Sequence, residues 1–260
     1  EISISKTGAI DQQAEDAALA LRSRLGIGLG PIQDLTALME FELGLRVFER
    51  PLPSKVAGAV AFDAMVGGFV LLNSLHPLYR RRVTAGHEIG HVLVRKVGLS
   101  IHFDEDDPVD RDERFFDLFG IALLAPAAAV RKKADELQRM FGGFSVRQLL
   151  MMAVFFNISI EAMTRRMVRL GILKAGTYER LRAEGVGQKH RDRVVEEMPR
   201  AEDAPAFTPR ALLLAGIAHE RDLLSEQQIA SMLELDLVTV RKALESGRGD
   251  VREGALELAL

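Results

Sequence analysis

Thr84-Ala85-Gly86-His87-Glu88-Ile89-Gly90-His91-Val92-Leu93-Val94 is the stretch on which the reading of this chain turns. It is an H-E-x-x-H pattern inside a segment, about Pro77 to Val97, whose apolar spacing predicts a helix closed by Gly98. At 3.6 residues per turn, positions four apart differ by ~40°, so His87 and His91 project from one face about one turn apart. Glu88 falls ~100° from His87 and ~60° from His91, too far round to share the ligand position but near enough to reach a water beside it. Two neutral imidazoles and an adjacent carboxylate suit a divalent ion that acidifies water to a pKa of about 7 and polarises a carbonyl. Glu88 is then the candidate general base, taking a proton from water and passing it to a leaving amine. The competing reading is a surface pair of histidines beside a salt-bridging glutamate. The flanking Val83, Ile89, Val92, Leu93 and Val94 fit a buried segment better than a solvated one.

Catalytic zinc takes three protein ligands and keeps one position open, so a third donor is needed. Downstream candidates are His102, Asp104 to Asp107, Asp110, Asp112, Glu113 and Asp117. Asp112, Glu113 and Asp117 fall in a predicted helix, about Asp110 to Leu124. Its apolar residues Phe115, Phe116, Phe119, Ala122 and Leu123 must pack inward, and a ligand on such a helix is held more rigidly than one in a loop. Pattern alone inclines to Glu113 without excluding the others.

Outward from this core, Asp11–Leu25 carries Ala14, Ala17, Ala18, Leu21 and Leu25 at helical spacing, and Pro31 opens a second predicted helix ended by Gly44. Leu45–Glu49, Lys55–Phe62 and Gly68–Asn73 are short, rich in Val and Phe and bounded by Pro and Gly, which predicts a small antiparallel sheet. The acidic run Asp104-Glu105-Asp106-Asp107 reads as a solvated loop. Pro126 starts a helix that reaches Gly142-Gly143, and everything beyond is helical in pattern. The expected class is α+β, mostly helical: a metal-site domain over 1–143, a helix-turn-helix-like unit over 144–183, a charged linker over 184–207 and a C-terminal helical region over 208–260. The segment 247–260 fits either a strand or a fraying tail.

Bulk properties narrow the function classes. The 260 residues carry a formal charge of −3, so bulk electrostatics do not make the chain a polyanion binder. It has no cysteine, hence no disulfides or thiolate ligands, which fits a reducing cytoplasm. The longest apolar runs, 149–156 and 119–130, fall short of the ~18 residues that span a bilayer, so no membrane partner is expected. The first residues, EISISKTGAI, lack the basic-then-apolar order of a secretory signal. They also lack a starting methionine, which suggests processing or a missing upstream segment.

Arg82-Val-Thr84-Ala-Gly86-His87-Glu88-Ile-Gly90-His91 resembles the R-x-T-x-A-H-E-L-G-H motif of the ImmA/IrrE metallopeptidases. Glu113-Arg-Phe-Phe116-Asp117-Leu-Phe119-Gly120-Ile-Ala-Leu123-Leu124-Ala-Pro126 resembles their E-x-x-A-N-x-F-A-x-x-L-L-x-P, and Gly68-Phe-Val-Leu-Leu-Asn73 their G-x-I-x-L-N. The likeness covers about residues 10–175. It implies a zincin-like fold, Glu113 as third ligand, and a peptidase whose substrate is a DNA-binding repressor of the helix-turn-helix class, cut to induce mobile-element or stress-response genes. Gly86, Ile89, Asp117 and Gly120 depart from the pattern. Asp117, one turn from Glu113, either orients a histidine or competes as a ligand. Zinc suits two histidines and a glutamate, with manganese or iron as alternatives.

Two further features point elsewhere. Ala153, Asn157, Ser159, Met163 and Met167 are spaced as in a helix-turn-helix, and residues 131–200 hold 15 Lys/Arg against 8 Asp/Glu, with Arg165, Arg166, Arg169 and Lys174 clustered at the second helix. DNA contact is one reading; a packing unit with a solvated basic face is the favoured one. Ser225-Glu-Gln-Gln228 is a capping box leading into a weaker echo of the same spacing. The alternative function is therefore a DNA-binding or scaffolding regulator that keeps the fold without turnover. Tyr79 and His102 are candidate oxyanion groups. For substrate, Gly68, Phe69, Val70, Leu71, Leu72 and Asn73 are expected to form the sheet edge nearest the cleft and to pair with an extended peptide. Sequence leaves the oligomeric state open.

Overall fold

The computed structural model describes residues 5, 7–63, 65–94, 98–103, 110–187, 190, 194 and 208–253. The run Asp104 to Asp107 and most of the 184–207 stretch lie outside them. In chain order the elements are α1 (Ile10–Arg24), a single α-turn α2 (Leu35–Ala37) continuing as a π-helical turn (Leu38–Glu42), β1 (Arg46–Arg50), β2 (Val56–Asp63), β3 (Gly67–Asn73), α3 (Leu78–Val94), β4 (Gly98–Phe103), α4 (Arg111–Leu124), α5 (Ala127–Phe141), α6 (Val146–Phe155), α7 (Ile160–Arg169) and α8 (Thr177–Ala183). Then follow α9 (Pro209–Glu220), α10 (Glu226–Leu233) and α11 (Leu237–Glu253). The fold is α+β and mostly helical, as the sequence indicates. Among the described residues no single helix is long and apolar enough to cross a membrane.

The chain divides into two compact units, Glu1–Leu35 with Gly44–Glu202, and Thr36–Leu43 with Asp203–Leu260. The helices of 144–183 thus belong to the first unit, and a short early segment belongs to the second.

In the first unit the strand order is β1-β3-β2-β4. β2 pairs antiparallel with both β3 and β4, whereas β1 runs parallel to β3, so the sheet is mixed. The expectation that 68–73 is an edge is corrected here. β3 has β1 on one side and β2 on the other, and both ladders of its backbone groups are filled. Alternation places Val70 and Leu72 in the core with Val47 and Val60, and Asn73 is buried too. The Asn73 amide holds the loop before β2, donating to Leu52, Pro53 and Val56 carbonyls while its oxygen accepts from Leu52 N–H.

Behind the sheet α3 and α4 pack on each other, and α1 packs on α4 through Ala14, Ala18 and Leu21. Two buried arginines order the chain between α1 and α2. Arg22 donates to the carbonyls of Gly28, Gly30 and Leu123, and Arg82 to those of Ile32 and Gln33. That pinning keeps 31–34 irregular, so helix begins at Leu35 rather than at Pro31.

The second unit is a three-helix core of Ala215, Ile229, Ala230, Val240 and Leu244. Glu40, buried on the π-helical turn, accepts from the Thr208 hydroxyl and the Arg210 N–H, capping the exposed donors at the start of α9. α11 continues through 247–253, so that part of the undecided C-terminal segment is helical.

Candidate metal centre

Sequence dictates how closely α3 and α4 approach. Gly86 and Gly120 face each other where the helices cross: a methyl built on Gly120 would stand 2.7 Å from Gly86 C and His87 N, and one on Gly86 would stand 3.0 Å from Gly120 Cα and O. These two departures from the resembled motifs are therefore one contact, backbone against backbone. Asp110 caps α4 by accepting from Asp112 N–H, which starts the helix in the register that turns Glu113 and Asp117 toward α3.

Three donor atoms converge on this seam. His87 Nε2 lies 3.0 Å from His91 Nε2, and Glu113 Oε2 lies 3.3 Å from the first and 3.5 Å from the second. A tetrahedral ion with bonds of 2.0–2.2 Å sets its donors roughly 3.3–3.6 Å apart, so this triangle has the size of one face of such a site. The donor set, two imidazoles and a carboxylate, has the matching chemistry. On the other side of the ring, His87 Nδ1 lies 2.7 Å from Asp117 Oδ1. With Nδ1–H donating to that carboxylate, the Nε2 lone pair is left facing the triangle. Asp117 thus contacts the nitrogen opposite the one that meets His91 and Glu113. A second grouping of possible donors, His87, His102 and Asp117, lies around this outer side.

Aromatic rings fix both imidazoles. His102 of β4 packs on His87 at 4.0 Å between centroids, and Phe116 packs on His91 at 3.9 Å. β4 was missed by sequence reasoning, although Leu99-Ser-Ile-His102-Phe alternates apolar and polar as a half-buried strand does. Tyr79, in the first turn of α3, stands eight residues before His87, ~12 Å along the axis.

Glu88 is fully buried, and neither of its oxygens has a hydrogen-bond partner among the described residues. One of them lies within 4.8 Å of a ring nitrogen of His87 and of His91. Gly58 of β2 and Thr84 roof it; a methyl on Gly58 would stand 3.2 Å from Glu88 Oε1. Burial is the main cause that lifts its carboxyl to about 8; His87 opposes the shift, and Glu113 and Asp117 add to it. Burial alone would lower the His87 imidazole, but hydrogen bonds to Asp117 and Glu113 and the nearby Glu88 charge raise it to about 9. His87, then His91, hold Glu113 well below the usual carboxylate range. The pocket thus carries a negative field that favours a cation, and a divalent ion would displace the imidazole proton on binding.

The basic helix does not present its charges as expected. Arg166 is buried, with a bidentate pair to Glu15 at 2.8 and 2.6 Å and a bond to the Ala125 carbonyl. Arg165 pairs with Glu161 at 2.9 Å and lies over the Tyr178 ring. α6 and α7 do bend by 104°, with Asn157 left-handed and Ser159 capping α7, so the turn geometry is there while Arg166 is buried and Arg165 is paired along its own helix.

Comparison with known proteins completes the picture. No curated protein matches the chain. Residues 41–168 match the family model of the IrrE N-terminal-like domain, peptidase M78, an interval that contains the sheet, both helices of the seam and every donor described above. Over residues 41–168 the chain therefore carries an IrrE N-terminal-like domain of the ImmA/IrrE peptidase family.

Proposed function

We propose that this chain is a metal-dependent, site-specific endopeptidase. His87, His91 and Glu113 hold one divalent ion, most suitably zinc, and Glu88 is the general base. The supporting observation is the triangle of Nε2, Nε2 and Oε2 atoms beside a buried carboxylate that has no hydrogen-bond partner among the described residues. When bound, the ion supplies Lewis acidity toward a carbonyl oxygen and toward water. Glu88 Oε accepts the proton of the attacking water and delivers it to the leaving amide nitrogen. Its burial beneath Gly58 and Thr84 excludes bulk water and keeps it basic enough for that exchange. Asp117 holds the His87 ring in the tautomer that points Nε2 inward, and Phe116 and His102 limit how far the two rings can turn.

The proposed substrate is a DNA-binding repressor of the helix-turn-helix class, with cleavage inducing mobile-element or stress-response genes in the cytoplasm. The competing reading is a DNA-binding or scaffolding regulator that keeps the fold without turnover, drawn from the helix-turn-helix spacings of α6–α7 and of α10–α11; in the latter pair Glu234 is left-handed and Asp236 caps the second helix through Thr239. Charge disfavours it: residues 208–253 hold 6 Lys/Arg against 8 Asp/Glu, the wrong balance for phosphate. Incubation of the zinc-loaded chain with a helix-turn-helix repressor, taken from beside its gene where one is encoded there, tests the proposal. A single cleavage, abolished by Glu88→Gln, is the expected result; an intact repressor at enzyme-to-substrate ratios near one contradicts the substrate assignment.

A further inference from the structure

Glycine in the middle of a helix costs stability, because it gives up backbone freedom and offers no side chain to bury. α3 carries Gly86 and Gly90, and α4 carries Gly120, all facing the seam between the two helices. At Gly90 the space is taken up by the Phe116 and Phe119 rings. At Gly86 and Gly120 the neighbour is backbone, which no rotamer change can move aside.

We propose that Gly86 and Gly120, where the resembled motifs carry alanine, are positioning residues of this chain's metal centre: together they set the close helix separation at which its own donors from α3 and α4 meet. The proposal rests on the metal-site reading above. Its logic is one of tolerances. A methyl on Gly120 starts 2.7 Å from two backbone atoms, and ordinary contact begins at 3.4 Å, so α4 must withdraw by about 0.7 Å. Metal–ligand distances tolerate about 0.2 Å. Glu113 and Asp117 ride on α4, seven and three residues before Gly120. Glu113 has a long, part-exposed side chain that can follow some of the shift. Asp117 has a short one, and its 2.7 Å contact with His87 Nδ1 cannot survive a withdrawal of that size unchanged. The His87 ring then loses the partner that fixes its tautomer, and the triangle opens on the Glu113 side.

The contrast with a mere packing role gives the test. Zinc affinity is measured by chelator competition, and the ligand field by the visible spectrum of the cobalt(II)-loaded protein. The proteins are wild type, Gly120→Ala, Gly86→Ala and Gly216→Ala. Gly216 is a matched control, since it is a helix-interior glycine with nothing within 4 Å of where its methyl would stand. Gly120→Ala, folded by circular dichroism, is expected to bind zinc ten- to a hundredfold more weakly, the scale of losing a ligand's supporting contact. Its cobalt spectrum should shift in intensity and position. Gly86→Ala, whose closest approach is 3.0 Å, should show a smaller loss, and Gly216→Ala none. A folded Gly120→Ala with zinc affinity within threefold of wild type and an unchanged spectrum overturns the proposal. Should Gly120→Ala fail to fold, Gly86→Ala carries the test, and affinity equal to wild type overturns it there. If wild type and a His87→Ala/His91→Ala variant bind zinc alike, the metal-site reading fails and the proposal with it. Failure confined to the glycine variants leaves the ligand assignment standing.

Discussion

Glu88 and Arg166 are both buried charged groups in the first unit, and they are treated in opposite ways. Arg166 meets a carboxylate with two bonds and a carbonyl with a third. Glu88 has a burial at least as complete and no hydrogen-bond partner among the described residues. A buried ionisable group without a partner costs several kcal/mol unless it changes protonation state, so a fold keeps one only where something other than stability requires it. The helices around α7 pair their buried charge, and the α3–α4 seam leaves a buried carboxyl without a hydrogen bond among the described residues.

Replacing Glu88 by glutamine should sharpen this contrast most. The amide keeps the shape and removes the base, so cleavage should fall by about 10² to 10⁴. Zinc content should be unchanged, and thermal stability little changed, because the amide keeps the shape of a carboxyl that burial already holds mostly protonated at neutral pH. Activity within about tenfold of wild type would remove Glu88 from the mechanism. Arg166→Ala should do the reverse. It removes the cationic partner of Glu15, leaving that carboxylate the Ala127 N–H, and is expected to cost about 3 kcal/mol of stability, measured by denaturant unfolding, with no change in zinc affinity at a temperature where the variant stays folded. A loss below about 1 kcal/mol would mean that the pair is not structural.

Much of this site is legible in sequence because it depends on local periodicity. H-E-x-x-H on a helix offers two candidate ligands and a candidate base, and Phe115, Phe116 and Phe119 fix which face of α4 must turn inward, with Glu113 and Asp117 on that helix as further candidates. Helix ends were readable where the chemistry is local: Gly142 is left-handed and ends α5, and Asp110 caps α4. What depends on which elements become neighbours in space was not readable. The strand 68–73 looks like an edge because it directly precedes the metal helix, yet β1 adds to it in parallel across a gap of more than fifteen residues, and periodicity does not encode such pairing. Likewise Glu40 reads as one residue of an ordinary helix; its partners Thr208 and Arg210 lie more than 160 positions away. Gly86 and Gly120 look like two independent departures until the crossing shows them as one contact.

Two smaller effects refine the comparison. Asp117→Ala should weaken zinc binding by about ten- to a hundredfold, since it removes the acceptor on His87 Nδ1. Asp117→Asn keeps an oxygen there and should lose less. Equal losses would show that charge, not the hydrogen bond, is what matters. Arg165→Ala should change stability by no more than about 0.5 kcal/mol, because its pair with Glu161 is exposed on the helix surface. A loss as large as that of Arg166→Ala would erase the distinction drawn between the two arginines.

His87, His91 and Glu113 are proposed to form one metal site. Metal analysis of the purified chain by inductively coupled plasma mass spectrometry, after zinc loading and exhaustive dialysis, tests it most directly against the His87→Ala/His91→Ala variant. One zinc per wild-type chain and none in the folded variant is the result expected. Equal metal content in the two proteins, or none in either, would contradict it.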